Sequence, residues 1–349
     1  MLSGKTILWW GRFSKDYSRN RILRFLLAEC GYEIRDFMPK SSFFGYSQSL
    51  FSKIGRADAV WVPCFRHRDF KAAARFARKR NIPVIFDPLI SAWDKAVFER
   101  KKFGVQSRQA GRLLRREQGL FSRADLVLAD TLPHAEFYMD KLASSPNRTC
   151  VVPIGAEEQF FYPRPLPQNK KPEVLFYGSF INLQGSEIAV QAATLLPQIK
   201  FTLLGDGPLK EHCISLADGL GNVHFEDWTA YEKLPGRIAD ATLLLGIFGN
   251  SPKAGRVIAN KVYQGLACGR AVITRKSEAF PADILQGTPK GLHLIPPADP
   301  KALAARIDKI ISQDQLEAEG RAAARIYQQY FSYSVIRKKL IDSLQTINL

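Results

Sequence analysis

Arg256-Val-Ile-Ala-Asn-Lys-Val-Tyr-Gln-Gly-Leu-Ala-Cys-Gly-Arg-Ala-Val-Ile-Thr274 decides how this chain is read. The stretch predicts a helix that opens at Asn260, whose side chain suits an N-cap. It closes at Gly269, a residue that takes the left-handed conformation ending many helices. Ala271–Thr274 follows as a short apolar strand. The first helical turn then presents free N–H groups, the positive end of the helix dipole and Lys261 together, which suits a diphosphate. An ordinary helix in an α/β core fits the same spacing.

Outward from this point, apolar runs alternate with helical patterns along the whole chain. In the first half the runs are Thr6–Trp10, Ala59–Val62, Pro83–Phe86, Leu126–Ala129 and Cys150–Pro153. In the second half they are Val174–Tyr177, Phe201–Leu204, Val223–Phe225, Thr242–Phe248, Ala271–Thr274 and Leu292–Ile295. Continuous runs of this kind suit strands buried on both faces of parallel sheets. Helical patterns lie between many of them, for example at Asn20–Glu29, Phe70–Arg80, Glu187–Leu196 and Leu303–Ser312. The expected fold is α/β, with two Rossmann-like doubly wound domains facing a central cleft. The proline-rich Phe160–Pro172 is the expected linker, dividing residues 1–165 from 166–331.

The chain has 349 residues with 46% hydrophobic content, which suits two globular domains. Five scattered cysteines without a CxxC pair argue against a disulfide framework or a zinc site and for a reducing compartment. Five histidines without metal-ligand spacing lead to the expectation of no metal site. The N-terminus lacks signal-peptide character, and no run reaches a membrane-spanning length, so a cytoplasmic protein is expected. Net charge is +17, and residues 1–165 carry 29 basic against 16 acidic side chains, or +13 of it. Such an imbalance suits an anionic partner: lipid headgroups, nucleic acid or a phosphorylated substrate. Lys95–Arg116 holds eight basic residues with Glu99 as its one acid and with Phe98, Phe103, Leu113 and Leu114 interspersed. It reads as a basic amphipathic segment for an anionic membrane, or as a solvated helix face. No stacking-platform pattern supports nucleic acid, and no nucleic-acid partner is expected.

Doubly wound folds bind ligands beyond the carboxyl ends of their strands. Gly11-Arg12, Asp87 and Asp94 occupy such places in the first half, and Asp87 suits a group that orients or deprotonates an acceptor hydroxyl, or a turn before Pro88. His134 reads as a helix-start residue or a ligand. In the second half Gly178-Ser179 and Gly205-Asp206-Gly207 suit a backbone wall against a nucleotide and its phosphates, or plain turns. The pattern is not GxGxxG with a following acid, which disfavours NAD.

These motifs together resemble the GT-B glycosyltransferases, close to the retaining group often called family 4. Val174–Phe180 resembles the opening of a donor domain, Phe201–Gly207 its next nucleotide-wall segment, and Asn260–Ile273 the characteristic helix and strand. Val152-Pro-Ile-Gly-Ala156 with Phe161 resembles the segment before the interdomain linker, and residues 332–349 the last helix, which commonly returns to the first domain. The resemblance implies transfer of a sugar from a nucleoside-diphosphate sugar to an acceptor hydroxyl, with retention, no metal strictly needed and no cofactor beyond the sugar nucleotide. It implies donor contacts from Gly178, Ser179, Gly205, Asp206, Asn260, Lys261 and Gln264, and acceptor contacts from Gly11, Arg12 and Asp94. Asp87 and Arg256 are the expected catalytic residues.

The chain departs from that family at defined positions. Arg256 and Gln264 stand where two glutamates are usual, and Ser179 and Gln184 where arginine and lysine often bind phosphate. Arg256 and Lys261 are expected to supply the missing positive charge. The implied setting is the inner face of the plasma membrane, with a glycan or lipid-linked acceptor in bacterial surface-polysaccharide or glycolipid assembly. A GT-B epimerase and a non-catalytic sugar-nucleotide-binding module remain alternatives.

Overall fold

The computed structural model describes residues 4–167, 171–287, 289–313 and 315–349. Positions 168–170 of the expected linker, and the first three residues, lie outside that set. The chain divides into two compact units, Met1–Ile154 with Tyr333–Leu349, and Gly155–Ser332.

The first unit carries a six-stranded parallel sheet in the order β2-β1-β3-β4-β5-β6. Its strands are β1 (Thr6–Trp10), β2 (Glu33–Phe37), β3 (Ala59–Val62), β4 (Val84–Phe86), β5 (Leu126–Ala129) and β6 (Thr149–Val151). Alternating side chains feed two cores, one per face. Leu8 and Trp10 join Val60, Val62 and Phe86 on one side. Ile7 and Trp9 join Trp61 and Ile85 on the other, where the Trp9 and Trp61 rings stack with centroids 4.7 Å apart. The final helix, Tyr333–Gln345, belongs to this second face: Ile336, Leu340 and Leu344 pack with Ile22, Leu23 and Leu26, and Arg337 pairs with Glu29 at 2.6 Å.

The second unit has the strands β7 (Glu173–Tyr177), β8 (Lys200–Leu204), β9 (Val223–Glu226), β10 (Leu243–Leu245), β11 (Ala271–Arg275) and β12 (Leu292–Ile295). Their order is β12-β11-β10-β7-β8-β9, all parallel. Numbered from its own first strand this is 3-2-1-4-5-6, the Rossmann arrangement. The expected α/β doubly wound architecture is therefore present in both units. Gly155–Pro165, assigned to the first domain by the sequence reading, groups instead with the second unit up to Ser332. The fully buried Arg270 gives the reason, because its guanidinium donates to the carbonyls of Arg164 and Pro165 at 2.8 and 2.6 Å and to Ala239 and Ala241.

The central stretch forms a helix over Asn260–Ala267 followed by β11. Gly269 stops it in the left-handed region at φ +66. The Arg270 and Gly269 N–H groups return to the carbonyls of Gly265 and Leu266 at 3.0 and 3.1 Å, closing a Schellman motif. The opposite end differs from expectation: Ala259 is the N-cap, and Asn260 is already the first helical residue. Alanine carries no acceptor, so the first N–H groups receive no side-chain cap.

Candidate active site in the second unit

In the second unit β7 is flanked by β8 on one side and β10 on the other, which makes its carboxyl end the switch point where doubly wound sheets bind ligands. Gly178 follows β7 directly and Gly205 follows β8. Their turns touch backbone to backbone: a Cβ on Gly205, where φ is +132, would lie 2.1 Å from the Gly178 carbonyl oxygen. Only glycine permits that approach.

Two side chains converge over Gly178. A Cβ built there would lie 3.1 Å from Gln184 Oε1 and 3.2 Å from Lys261 Nζ. Both atoms are buried without a hydrogen-bond partner. Lys261 is 4% exposed, and its ammonium rests on the Phe176 ring, 3.6 Å from the centroid. Burial alone drives its pKa well below the ordinary lysine value. A partnerless buried ammonium is costly, and here it stands beside the uncapped first turn of the Asn260–Ala267 helix. Nζ, the helix tip and the Gly178 loop thus form an electropositive pole with no anion of its own among the described residues. Such an arrangement is chemically suited to an anion such as a phosphate group.

The other residues expected at the donor are placed as follows. Gln264 is 4% exposed, and both ends of its amide are occupied. Its Oε1 accepts from the Tyr177 hydroxyl at 3.0 Å, and its Nε2 donates to the Tyr231 hydroxyl at 3.4 Å. Tyr231 in turn donates to Glu157, a fully buried carboxylate in the segment before the linker. Glu157 and Tyr231 were not singled out in the sequence, since neither stands in a recognisable motif. Ser179 is exposed on the loop after β7. Asp206 is exposed, and its Oδ1 accepts from the Gly207 N–H at 2.7 Å, a turn contact. Arg256 lies half-buried in the irregular stretch before the helix, its N–H bonded to the Lys253 carbonyl at 3.0 Å.

The residues expected in the first unit divide into two sets. Asp87 and Asp94 are fully buried. Arg19 Nε donates to both Asp87 oxygens, at 2.8 and 3.0 Å, while its Nη1 donates to the Val152 carbonyl at 2.8 Å. Burial raises the Asp87 pKa, and Arg19 offsets this only in part. Asp87 is thus the buried counter-ion of Arg19. His134 starts a helix capped by Thr131 and is bonded through Nδ1 to Asp130. Arg12 is exposed and lines a cavity of about 600 Å³, and Gly11 packs against Arg66 and Asp69. In Lys95–Arg116, Phe98, Phe103, Leu113 and Leu114 pack against Trp93, Val97 and Ala110, while Val105 is exposed. Among the described residues no group of three His, Cys, Asp or Glu side chains is gathered as metal ligands.

Residues 171–313, within the second unit, match the model of the family Glycosyl transferases group 1. The chain has the GT-B fold. Sucrose-phosphate synthase from Thermosynechococcus elongatus superposes on it with a TM-score of 0.75 at 18% identity, covering 98% of both chains. HepE from Anabaena, solved in complex with UDP-glucose, gives 0.71 at 15% identity, covering 98% of this chain and 100% of its own. The lipopolysaccharide outer core galactosyltransferase WaaB gives 0.64 at 15% identity, covering 97% and 99%. No curated protein matches this sequence.

Proposed function

We propose that this protein is a glycosyltransferase that takes a sugar from a nucleoside-diphosphate sugar and passes it, with retention, to an acceptor hydroxyl on a glycan or a lipid-linked glycan. The single observation that carries the donor reading is the partnerless Lys261 ammonium standing over Gly178. Charge accumulates on the diphosphate as the glycosidic bond breaks, and a fixed cation beside an uncapped helix start favours that state over the ground state. Lys261 and the helix tip replace the basic residues usual on the phosphate loop, where Ser179 and Gln184 stand. Gln264 holds its helix against Tyr177 and Tyr231, a neutral substitute for the usual carboxylate. The complex of HepE with UDP-glucose supports UDP-sugars as the first donors to try.

The first unit is the proposed acceptor side, with Arg12 at its cavity. Attachment to an anionic membrane is supported by the charge of this half and by exposed Phe43, Phe44, Leu50 and Phe51 around the helix Gly45–Phe51. No helix among the described residues is long and apolar enough to cross a membrane. A thermal-shift screen against UDP, GDP, ADP and dTDP sugars tests the donor reading, because a ligand of the native state raises Tm. One nucleotide family raises Tm and supports sugar transfer with the anomeric configuration kept, as read by NMR. Unchanged Tm with all four contradicts the reading.

A further inference from the structure

We infer that the cavity of the first unit is a seat for a phosphate group carried by the acceptor. This rests on the reading of that unit as the acceptor side and adds the acceptor's chemistry. The cavity, about 600 Å³, lies where β1 and β3 part to either side of the switch in strand order. Arg12 reaches it from the turn after β1, Arg66 and Arg68 from the turn after β3, and Lys95, Arg100 and Lys102 from the segment after β4.

The acids beneath it are already engaged. Arg66 Nε donates to Asp69 Oδ2 at 2.6 Å, and Arg66 Nη2 donates to Ser42 Oγ at 3.2 Å, which fixes that guanidinium. Glu117 faces His67 at 3.2 Å and accepts from Ser91 Oγ and the Ala92 and Trp93 N–H groups. Among the described residues Arg12, Arg68, Arg100 and Lys102 have no carboxylate partner. Four exposed cations without a carboxylate partner therefore line one cavity. A phosphate answers several of them at once, since its three free oxygens and charge near −2 suit forked guanidinium groups. The volume falls in the range of about 300–1,000 Å³ usual for small-molecule sites, leaving room for a sugar beside the phosphate.

Pyrophosphate is the probe. It is titrated by calorimetry into the full chain, the triple variant Arg68→Glu/Arg100→Glu/Lys102→Glu, and both again with Lys261→Met, which separates this site from the donor pole. The Lys261→Met protein keeps a pyrophosphate event, and adding the triple change weakens it at least tenfold. Arg68→Gln/Arg100→Gln/Lys102→Gln, with Tm unchanged, gives the same loss without charge reversal. Cosedimentation with vesicles of phosphatidylglycerol or phosphatidylcholine identifies the source. Loss of phosphatidylglycerol binding in the triple variant assigns the phosphate to a membrane-borne acceptor. Retained vesicle binding with lost pyrophosphate binding assigns it to a water-soluble one. Pyrophosphate binding equal in the triple variants and their parents overturns the inference, whatever nucleotides do at Lys261.

Discussion

Lys261 occupies a place that stability alone would give to an apolar residue. Its ammonium lies on an aromatic ring, deep and without a partner, so Lys261→Met removes a buried polar cost and keeps the packing volume. The variant should raise Tm of the ligand-free protein by about 2 °C or more; calorimetry of the purified protein checks this. A lower Tm would mean that Lys261 holds the fold. Glu173 shows the opposite design, a carboxylate whose charge is fully met. Burial opposes its ionisation, but bonds from Arg237, Thr202 and Lys200 outweigh this and take its pKa from 4.5 down to about 2. Because the folded value lies below the unfolded one, the stability it contributes is complete above about pH 4.5 and is lost as pH falls towards 2. Glu173→Gln should therefore lower Tm at neutral pH and flatten the fall of Tm across that acid window.

Among elements, the turns after β7 and β8 form a unit. Gly205→Ala drives a methyl into the Gly178 carbonyl at a positive φ, costing about 3 kcal/mol or more, and should lower Tm by about 6 °C or more while abolishing nucleotide binding. Retained nucleotide affinity in this variant would show that the two turns need not touch. The strands, the Gly269 stop and the Rossmann alternation were legible because buried parallel strands must be apolar and helix ends need special residues. β2 was not, since Glu-Ile-Arg-Asp-Phe at an edge keeps polar side chains in water. Asn260 looked like a cap, but its place was decided by the Ala259 backbone, which composition does not report. Asp87 sits at the strand end as expected, yet its role depends on Arg19, 68 residues away in sequence. Gln184 and Lys261 meet only through folding, so their shared position over Gly178 could not be counted from either motif.

At the scale of the whole molecule, the chain crosses between its units twice, since Tyr333–Leu349 completes the first. Ending the chain at Ser332 strips Ile336, Leu340 and Leu344 from one core face, so the first unit should melt at least several degrees lower while the second keeps its nucleotide affinity. Equal loss in both units, followed by fluorescence and by nucleotide titration, would contradict that division. The charge follows the same division, with +13 of +17 in residues 1–165, and the two electropositive sites differ in kind. One is a single buried lysine; the other is an open wall of arginine and lysine. The central claim is that Lys261 grips the donor's diphosphate. Calorimetric titration of the nucleoside diphosphate selected by the thermal screen, into the parent protein and Lys261→Met, tests it most directly. The expected result is binding at least tenfold weaker in Lys261→Met. Equal affinity in the two proteins would contradict it.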